Sequence, residues 1–318
     1  MAVEVTESLG GTVDRMETVR FLVFKNVAAG VPTLELNQLF DVPASSGEKE
    51  VSRFKITLEL GMRPGRNNEK MVVAVVNEPV EMTPQLDVVW DYAGLENATL
   101  DFGHFLHSEQ TALLNGKSMP MSGVVWTDNL YATPEEAESD PVELSVLRAA
   151  ARVDVYLRQE AGLGLTLGAG STFTLSHSYG RGYLVRQVAG TRAFGKIQTI
   201  TSGFATNNLT LSASDSPDLP EVRSGEKGRL VASFYTAERT CQADSNGDKL
   251  QAGIGIITGE GASRTGAVII DRFNKAGVPT DILVVERNNI YEIIATVGSN
   301  SITATVNDWT GEPIVPEL

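Results

Sequence analysis

The residues best suited to chemistry are few and far apart. His104 and His107 stand three apart, with Asp101 close by. That spacing can bring two imidazoles to one face of a helix for a metal ion. No third ligand lies in sequence range and no HExxH occurs, so a solvated helix face is the simpler reading. Asp244-Ser245-Asn246-Gly247-Asp248 begins like a calcium loop. Its glycine is fourth rather than sixth, and the closing glutamate is missing, so an Asn-Gly hairpin turn fits better. Gly162-Leu163-Gly164 lacks the third glycine of a dinucleotide fingerprint, and Gly261 to Gly266 lacks the lysine of a phosphate loop. No GxSxG is present, and the serines beside His177 mark no nucleophile–base pair. Cys241 is the only cysteine, so neither a disulfide nor a cysteine-based metal site can form within one chain; it reads as a small residue in or beside a strand. The expectation is a protein without catalysis, cofactor or metal.

Composition narrows the class further. The 318 residues suffice for two ordinary domains, and the 42% apolar and 21% charged fractions are those of a globular protein. The net charge of -14 would be repelled by nucleic acid and by anionic membrane surfaces. No stretch approaches the roughly 20 apolar residues needed to span a bilayer. The first residues, Met1-Ala2-Val3-Glu4-Val5, lack the basic and apolar regions of a signal peptide, so an exported form is expected to have lost its leader.

The elements that would position any site are mostly strands. Residues 1–15 read as a loose lead-in with a short strand at Val3–Thr6. Val19–Phe24 and Phe54–Leu60 alternate with period two, and Met71–Val76 is a continuous apolar run suited to a strand buried on both faces. Residues 26–50 mix Gly, Pro and Ser and read as loop with one short strand. Thr83-Pro84 starts a helical pattern carrying Leu86, Val89 and Trp90. Asn97 or Thr99 could cap a second helix with Leu100, Phe102, Phe105 and Leu106. Val124–Trp126 and most of Val142–Leu157 read as strand, although Leu144–Ala151 passes locally for helix. From about Glu160 the chain becomes short strands separated by Gly, Asn, Ser and Asp turns. These are Thr172–Leu175, Tyr183–Val188, Arg229–Tyr235, Leu250–Ile257, Ala267–Ile270, Ile282–Val285, Tyr291–Val297 and Ile302–Val306. That pattern indicates a β-sandwich. The fold class is mainly β, with short helices in the first half and a boundary near 158–162.

The end of the chain has its own logic. Ser301–Val306 alternates, and Trp309, Ile314 and Val315 follow before the chain stops. Such a strand can pair within its own domain or complete the sheet of a neighbour by strand addition. Ile302, Ala304 and Val306 would project to one side, with Thr303 and Thr305 on the other.

Several segments together resemble the fimbrillin family, the FimA-like subunits of type V pili made by Bacteroidales. Thr18–Phe24 is similar to the first strand of the mature pilin. Val72–Pro79, an apolar strand closing in Asn-Glu, is similar to another family strand. Met119-Pro120-Met121-Ser122-Gly123 resembles the family's Pro-Met-Ser-Gly segment, the most specific piece. Arg148–Leu157 resembles the strand that closes the first domain. Arg287-Asn288 with Tyr291, an alternating strand and a late Trp309 resemble the family's end.

The resemblance implies two transthyretin-like β-sandwich domains. Residues 1–159 would carry a strand-acceptor groove, and residues 160–318 would end in a donor strand formed by Ile302, Ala304, Val306, Trp309, Ile314 and Val315. It also implies export as a lipoprotein and removal of a leading strand by an arginine-specific protease. Arg15, the only arginine before the first clear strand, is the candidate cleavage point. The expected role is a structural pilin at the cell surface, associated with the outer membrane, supporting adhesion. Its partners would be copies of itself or related fimbrial subunits. A tip or accessory subunit binding a glycan or host protein is the alternative, and such a subunit should keep its last strand folded back. A secreted glycan-binding module or hydrolase is a third reading. It would need clustered carboxylates or exposed aromatics, and the 7% aromatic content shows no clustering.

Overall fold

β-branched and aromatic residues in period-two runs make strands, and most of this chain is built from them. The computed structural model describes all residues except 8–15, 26–31, 44–52, 62–68, 102–118, 129, 180, 186–187, 190–192, 195–203, 211–217, 243–248, 270–281 and 310–318. In chain order the first half holds β1 (Ala2–Glu7), β2 (Thr18–Lys25), β3 (Thr33–Asp41), β4 (Arg53–Thr57), β5 (Lys70–Val76), α1 (Thr83–Asp87), α2 (Tyr92–Glu96), β6 (Thr99–Asp101), β7 (Met121–Thr127), α3 (Pro134–Ser139) and β8 (Val142–Arg148). The second holds β9 (Ala151–Gln159), β10 (Thr172–Tyr179), β11 (Arg181–Tyr183), β12 (Val188–Ala189), β13 (Ala193–Phe194), β14 (Phe204–Thr210), β15 (Arg229–Thr236), β16 (Arg239–Gln242), β17 (Gln251–Ile257), β18 (Ser263–Ile269), β19 (Ile282–Val285), β20 (Ile290–Val297) and β21 (Ile302–Trp309).

Seven strands form one sheet in the order β3-β2-β5-β7-β8-β1-β4. β7 and β8 share only two paired positions, Met121↔Arg148 and Ser122↔Leu147. The sheet folds at that seam, so β3-β2-β5-β7 packs against β8-β1-β4 as a sandwich. Gly123 allows the close approach, since a Cβ there would sit 2.1 Å from the Ser145 carbonyl oxygen. Val19, Phe21, Val23, Val72 and Val76 from one layer meet Val3, Val5, Val142, Leu144 and Val146 from the other. The alternate residues Leu22, Phe24, Met71, Val73 and Val75 point the other way, beneath Met82, Leu86, Tyr92 and Leu95 of the α1–α2 segment. Both faces of β2 and β5 are therefore covered, which is why β5 reads as an unbroken apolar run.

The later strands make two facing four-stranded sheets, β15-β9-β20-β21 and β14-β10-β17-β18. Val153, Val155, Phe234, Ile293 and Ala295 of the first enclose a core with Phe173, Leu175, Ile254 and Ile256 of the second. β9 departs from the resemblance. It does not close the N-terminal sheet but lies at the centre of the later one, antiparallel to β15 and parallel to β20. The chain changes sheet at Ala149-Ala150, both buried. No glycine or proline marks that step, whereas the glycines near 162 and 164 fall in a turn after β9 with positive φ.

Local pattern misleads in two further places. Leu100, expected on a helix with Phe102, Phe105 and Leu106, is in β6, where it pairs with Gly182 of β11. A partner eighty-odd residues away overrides the helical spacing; residues 102–118, with His104 and His107, lie outside the described residues. Leu144–Ala151 is not helical and spans the end of β8 and the start of β9. No described helix is long and apolar enough to cross a membrane.

Candidate functional site: a strand held at each end of the chain

β1 lies between two partners of opposite sense. It runs antiparallel to β4, with Ala2↔Thr57 through Thr6↔Arg53 in register, and parallel to β8, with Val3↔Val142 through Glu7↔Val146. Met1, Ala2, Val3 and Val5 are all buried, the two valines completely. The short strand expected at Val3–Thr6 is present, runs from Ala2 to Glu7 and lies in the interior of the sheet, while residues 8–15 of the expected lead-in lie outside the described residues. Taking β1 away would leave β4 and β8 two strand spacings apart, roughly 9.5 Å. Both would then present unpaired backbone groups beside Phe54, Ile56, Leu144 and Val146.

From Met16 onward the chain is anchored. Met16 is fully buried, and Glu17 donates its N–H to Asn77 Oδ1 at 2.7 Å. Asn77 adopts φ 54°, a conformation that asparagine tolerates better than most residues, and its Nδ2 donates to the Met119 carbonyl. Arg20 donates from Nε and Nη2 to Glu78 at 2.6 and 2.8 Å and also meets Asp87 at 2.9 Å. Hydrogen bonding to Glu78 raises the Arg20 pKa further, so the guanidinium stays charged. The Asn-Glu that closes β5 therefore holds the entry to β2. Arg15 precedes this anchor immediately but lies outside the described residues.

The Pro-Met-Ser-Gly segment and the Arg287-Asn288 pair meet a shared partner. Ser122 Oγ donates to the Leu184 carbonyl at 2.7 Å, and Arg287 Nη1 donates to the same oxygen at 2.9 Å. Arg287 Nη2 reaches the Tyr183 carbonyl at 2.8 Å and Glu238 at 2.7 Å. Asn288, at φ 66°, donates its N–H to Ala150 and accepts from the Arg148 N–H, fixing the step between β8 and β9.

At the other end, β21 pairs antiparallel with β20 along its whole length, from Val297↔Ile302 to Ile290↔Trp309. Ile302, Ala304 and Val306 are brought onto one half-buried face against the core of their own chain, while Ser301, Thr303 and Thr305 are exposed. Of the two options the alternation left open, this copy adopts the intramolecular one over Ile302–Trp309. Trp309 closes the strand opposite Ile290, and Ile314 and Val315 lie outside the described residues. Neighbouring β18 approaches this face at Gly266, where a Cβ would lie 3.1 Å from Ile302 Cβ. Gly266→Val is expected to overpack that contact and lower stability by about 1–3 kcal/mol. Urea unfolding and the rate of proteolytic release of the tail would both report it; an unchanged midpoint would mean that β18 yields.

Of the other candidate chemistry, His177 sits at a bulge of β10 with φ 58°, its carbonyl accepting from Arg239. Cys241 is in β16 opposite Leu283, and residues 244–248 lie outside the described residues. Among the described residues no three His, Cys, Asp or Glu side chains converge to hold a metal ion.

Neither a protein-family model nor a curated protein matches the sequence. Solved structures do match. The tip fimbrial protein Mfa3 from Porphyromonas gingivalis, in a form with a C-terminal truncation, superposes with a TM-score of 0.57 at 14% identity, over 97% of this chain and 98% of that one. A fimbrial assembly protein from Parabacteroides distasonis gives 0.51 at 13% identity, over 97% and 95%. The fold is thus one found in fimbrial proteins of Bacteroidales over nearly the full length.

Proposed function

We propose that this chain is a structural subunit of a cell-surface fimbrium and is assembled by strand exchange. The observation that carries the reading is the place of β1: an N-terminal strand inside the sheet, joined to an anchored β2 by a link containing Arg15. Cleavage by an arginine-specific protease at Arg15 would free β1 while Met16 and Glu17 stay fixed. The vacated groove between β4 and β8 would then accept an extended, alternating strand from another subunit. On this reading the N-terminal sandwich and the later pair of sheets are two domains meeting near Ala149-Ala150. The surface location and the partnership with like subunits follow from the assembly.

The donor would be the tail that begins at Ile302 and includes Trp309, Ile314 and Val315. The full pairing of β21 with β20 favours a second reading, a tip or accessory subunit that accepts a strand and does not give one. One experiment separates them. The full chain is digested with an arginine-specific protease, then examined by electron microscopy and size exclusion with and without a synthetic peptide of residues 301–318. A stalk subunit forms filaments only after the cut, and deleting residues 301–318 abolishes them. A tip subunit stays monomeric after the cut but binds the peptide. A cut chain that neither polymerises nor takes up the peptide overturns both.

A further inference from the structure

The α1–α2 segment carries a surface that strand exchange does not use. Five large apolar residues are exposed among the described residues, and three of them, Val80, Val88 and Trp90, fall within eleven consecutive positions. They are 84, 74 and 70% exposed. Val80 and Val88 flank α1, in the turns that lead into and out of it. An exposed tryptophan beside exposed valines is not the scattered single apolar residue that needs no explanation.

The backbone beneath Trp90 is fixed on both sides. Its carbonyl accepts from the Leu34 N–H at 2.9 Å, the Tyr92 N–H reaches the Pro32 carbonyl, and Asp91 bridges to Thr33 of β3. Val89 and Tyr92 on either side are buried, Tyr92 edge-on to Phe24 at 5.6 Å. The indole is therefore presented from a rigid base and would lose little freedom on binding.

Charge says what would cover it. No lysine or arginine occurs from Met71 to Gly116, while Glu78, Glu81, Asp87, Asp91, Glu96, Asp101 and Glu109 do. Glu81 is exposed, the Asp87 side chain is 57% exposed, and Asp91 stands next to the indole in sequence. Asp87 is shared with Arg20, which leaves exposed Glu81 and half-exposed Asp91 beside the apolar residues. An apolar centre with these carboxylates suits a partner in which arginine or lysine alternates with aliphatic residues. The cation would lie over the indole face, and the carboxylates would meet its N–H groups. A second copy of this chain, at a net charge of -14, would be repelled.

We propose that Val80, Val88 and Trp90 form a docking site for a basic, aliphatic segment of a partner protein. The site is independent of the groove that holds β1. The test titrates the full chain with a labelled peptide of alternating arginine and valine, read by fluorescence anisotropy at about 50 mM salt, where screening is weak. An alternating glutamate–valine peptide and a neutral hexasaccharide serve as competing probes. Trp90→Ala leaves the net charge unchanged and should weaken arginine–valine binding by roughly tenfold. Val88→Ser should weaken it too, and Glu81→Gln by a smaller factor. All three positions are exposed, so an unchanged melting curve is expected. Equal affinity in wild type and Trp90→Ala would reduce the interaction to bulk charge and overturn the proposal. Trp90-dependent binding of the saccharide instead, or no binding by any probe, would overturn it as well.

Discussion

Deleting residues 1–15 is expected to unfold the N-terminal sandwich, and a strand supplied in trans is expected to restore it. Met1, Val3 and Val5 are buried in the core shared by the two layers. At about 1.5–3 kcal/mol for each large apolar side chain, their loss removes on the order of 4.5–9 kcal/mol. Whole domains are stable by only about 5–15 kcal/mol. The deletion also strips β4 and β8 of the partner that each pairs with at five positions. Unpaired edges beside apolar side chains invite aggregation. Thermal unfolding of the truncated chain should show a large drop in midpoint or no transition. Adding a peptide of residues 1–7, or one of residues 301–315, should raise it in proportion to peptide concentration, because both carry apolar residues at period two. A truncated chain that melts where the intact chain does would show that β1 contributes nothing to the fold, and the groove would lose its meaning.

The parts of this architecture that local pattern revealed are those whose surroundings are uniform. β5 is covered on both faces along its whole length, so its apolar run needs no further context. β20 and β21 are joined by a tight turn, the Gly298 N–H bonding to Ser301, and pair residue for residue, so alternation and turn chemistry agree. β3 was hidden because its register against β2 shifts between Val23 and Phe24. The bulge turns Leu34 toward the core beneath the α1–α2 segment, while Leu36 and Phe40, which share its parity, pack against the sandwich core. β6 was hidden because what fixes it as a strand is β11, far along the chain. The sheet change at Ala149-Ala150 is enforced by Asn288, which no nearby residue announces.

The candidate site divides in the same way. Ile302, Ala304 and Val306 were readable as one face of a strand, but whose sheet they complete is a question of packing that alternation cannot answer. Trp90 shared helical spacing with Leu86 and Val89, which predicts a common buried face. α1 ends at Asp87, the chain turns to bridge with β3 at Asp91, and the indole is left outside.

The second large effect is expected at Arg287. Its guanidinium is 2% exposed and Glu238 is 4% exposed. The same guanidinium donates to two carbonyls, Tyr183 and Leu184, and Leu184 is itself fully buried beneath the α1–α2 segment. The loop after β11 is thereby tied to the start of β20, while the Leu184 N–H bonds to Ala98 and its oxygen also takes Ser122. Arg287→Met removes the cation but leaves Glu238 in place. A buried charge stripped of its partner costs about 3–5 kcal/mol, more than the intact pair contributes over a well-packed apolar substitute. The midpoint of urea unfolding should fall accordingly, and the Leu184 amide should lose hydrogen-exchange protection before the core of β5 does. Glu238→Gln keeps an acceptor and should cost less. The double variant Arg287→Met with Glu238→Leu should recover most of the loss, since no buried charge remains. If the double variant is as unstable as the single one, the damage lies in the carbonyls of Tyr183 and Leu184 rather than in the stranded carboxylate. The clamp would then be a hydrogen-bonding device, with the ion pair incidental to it.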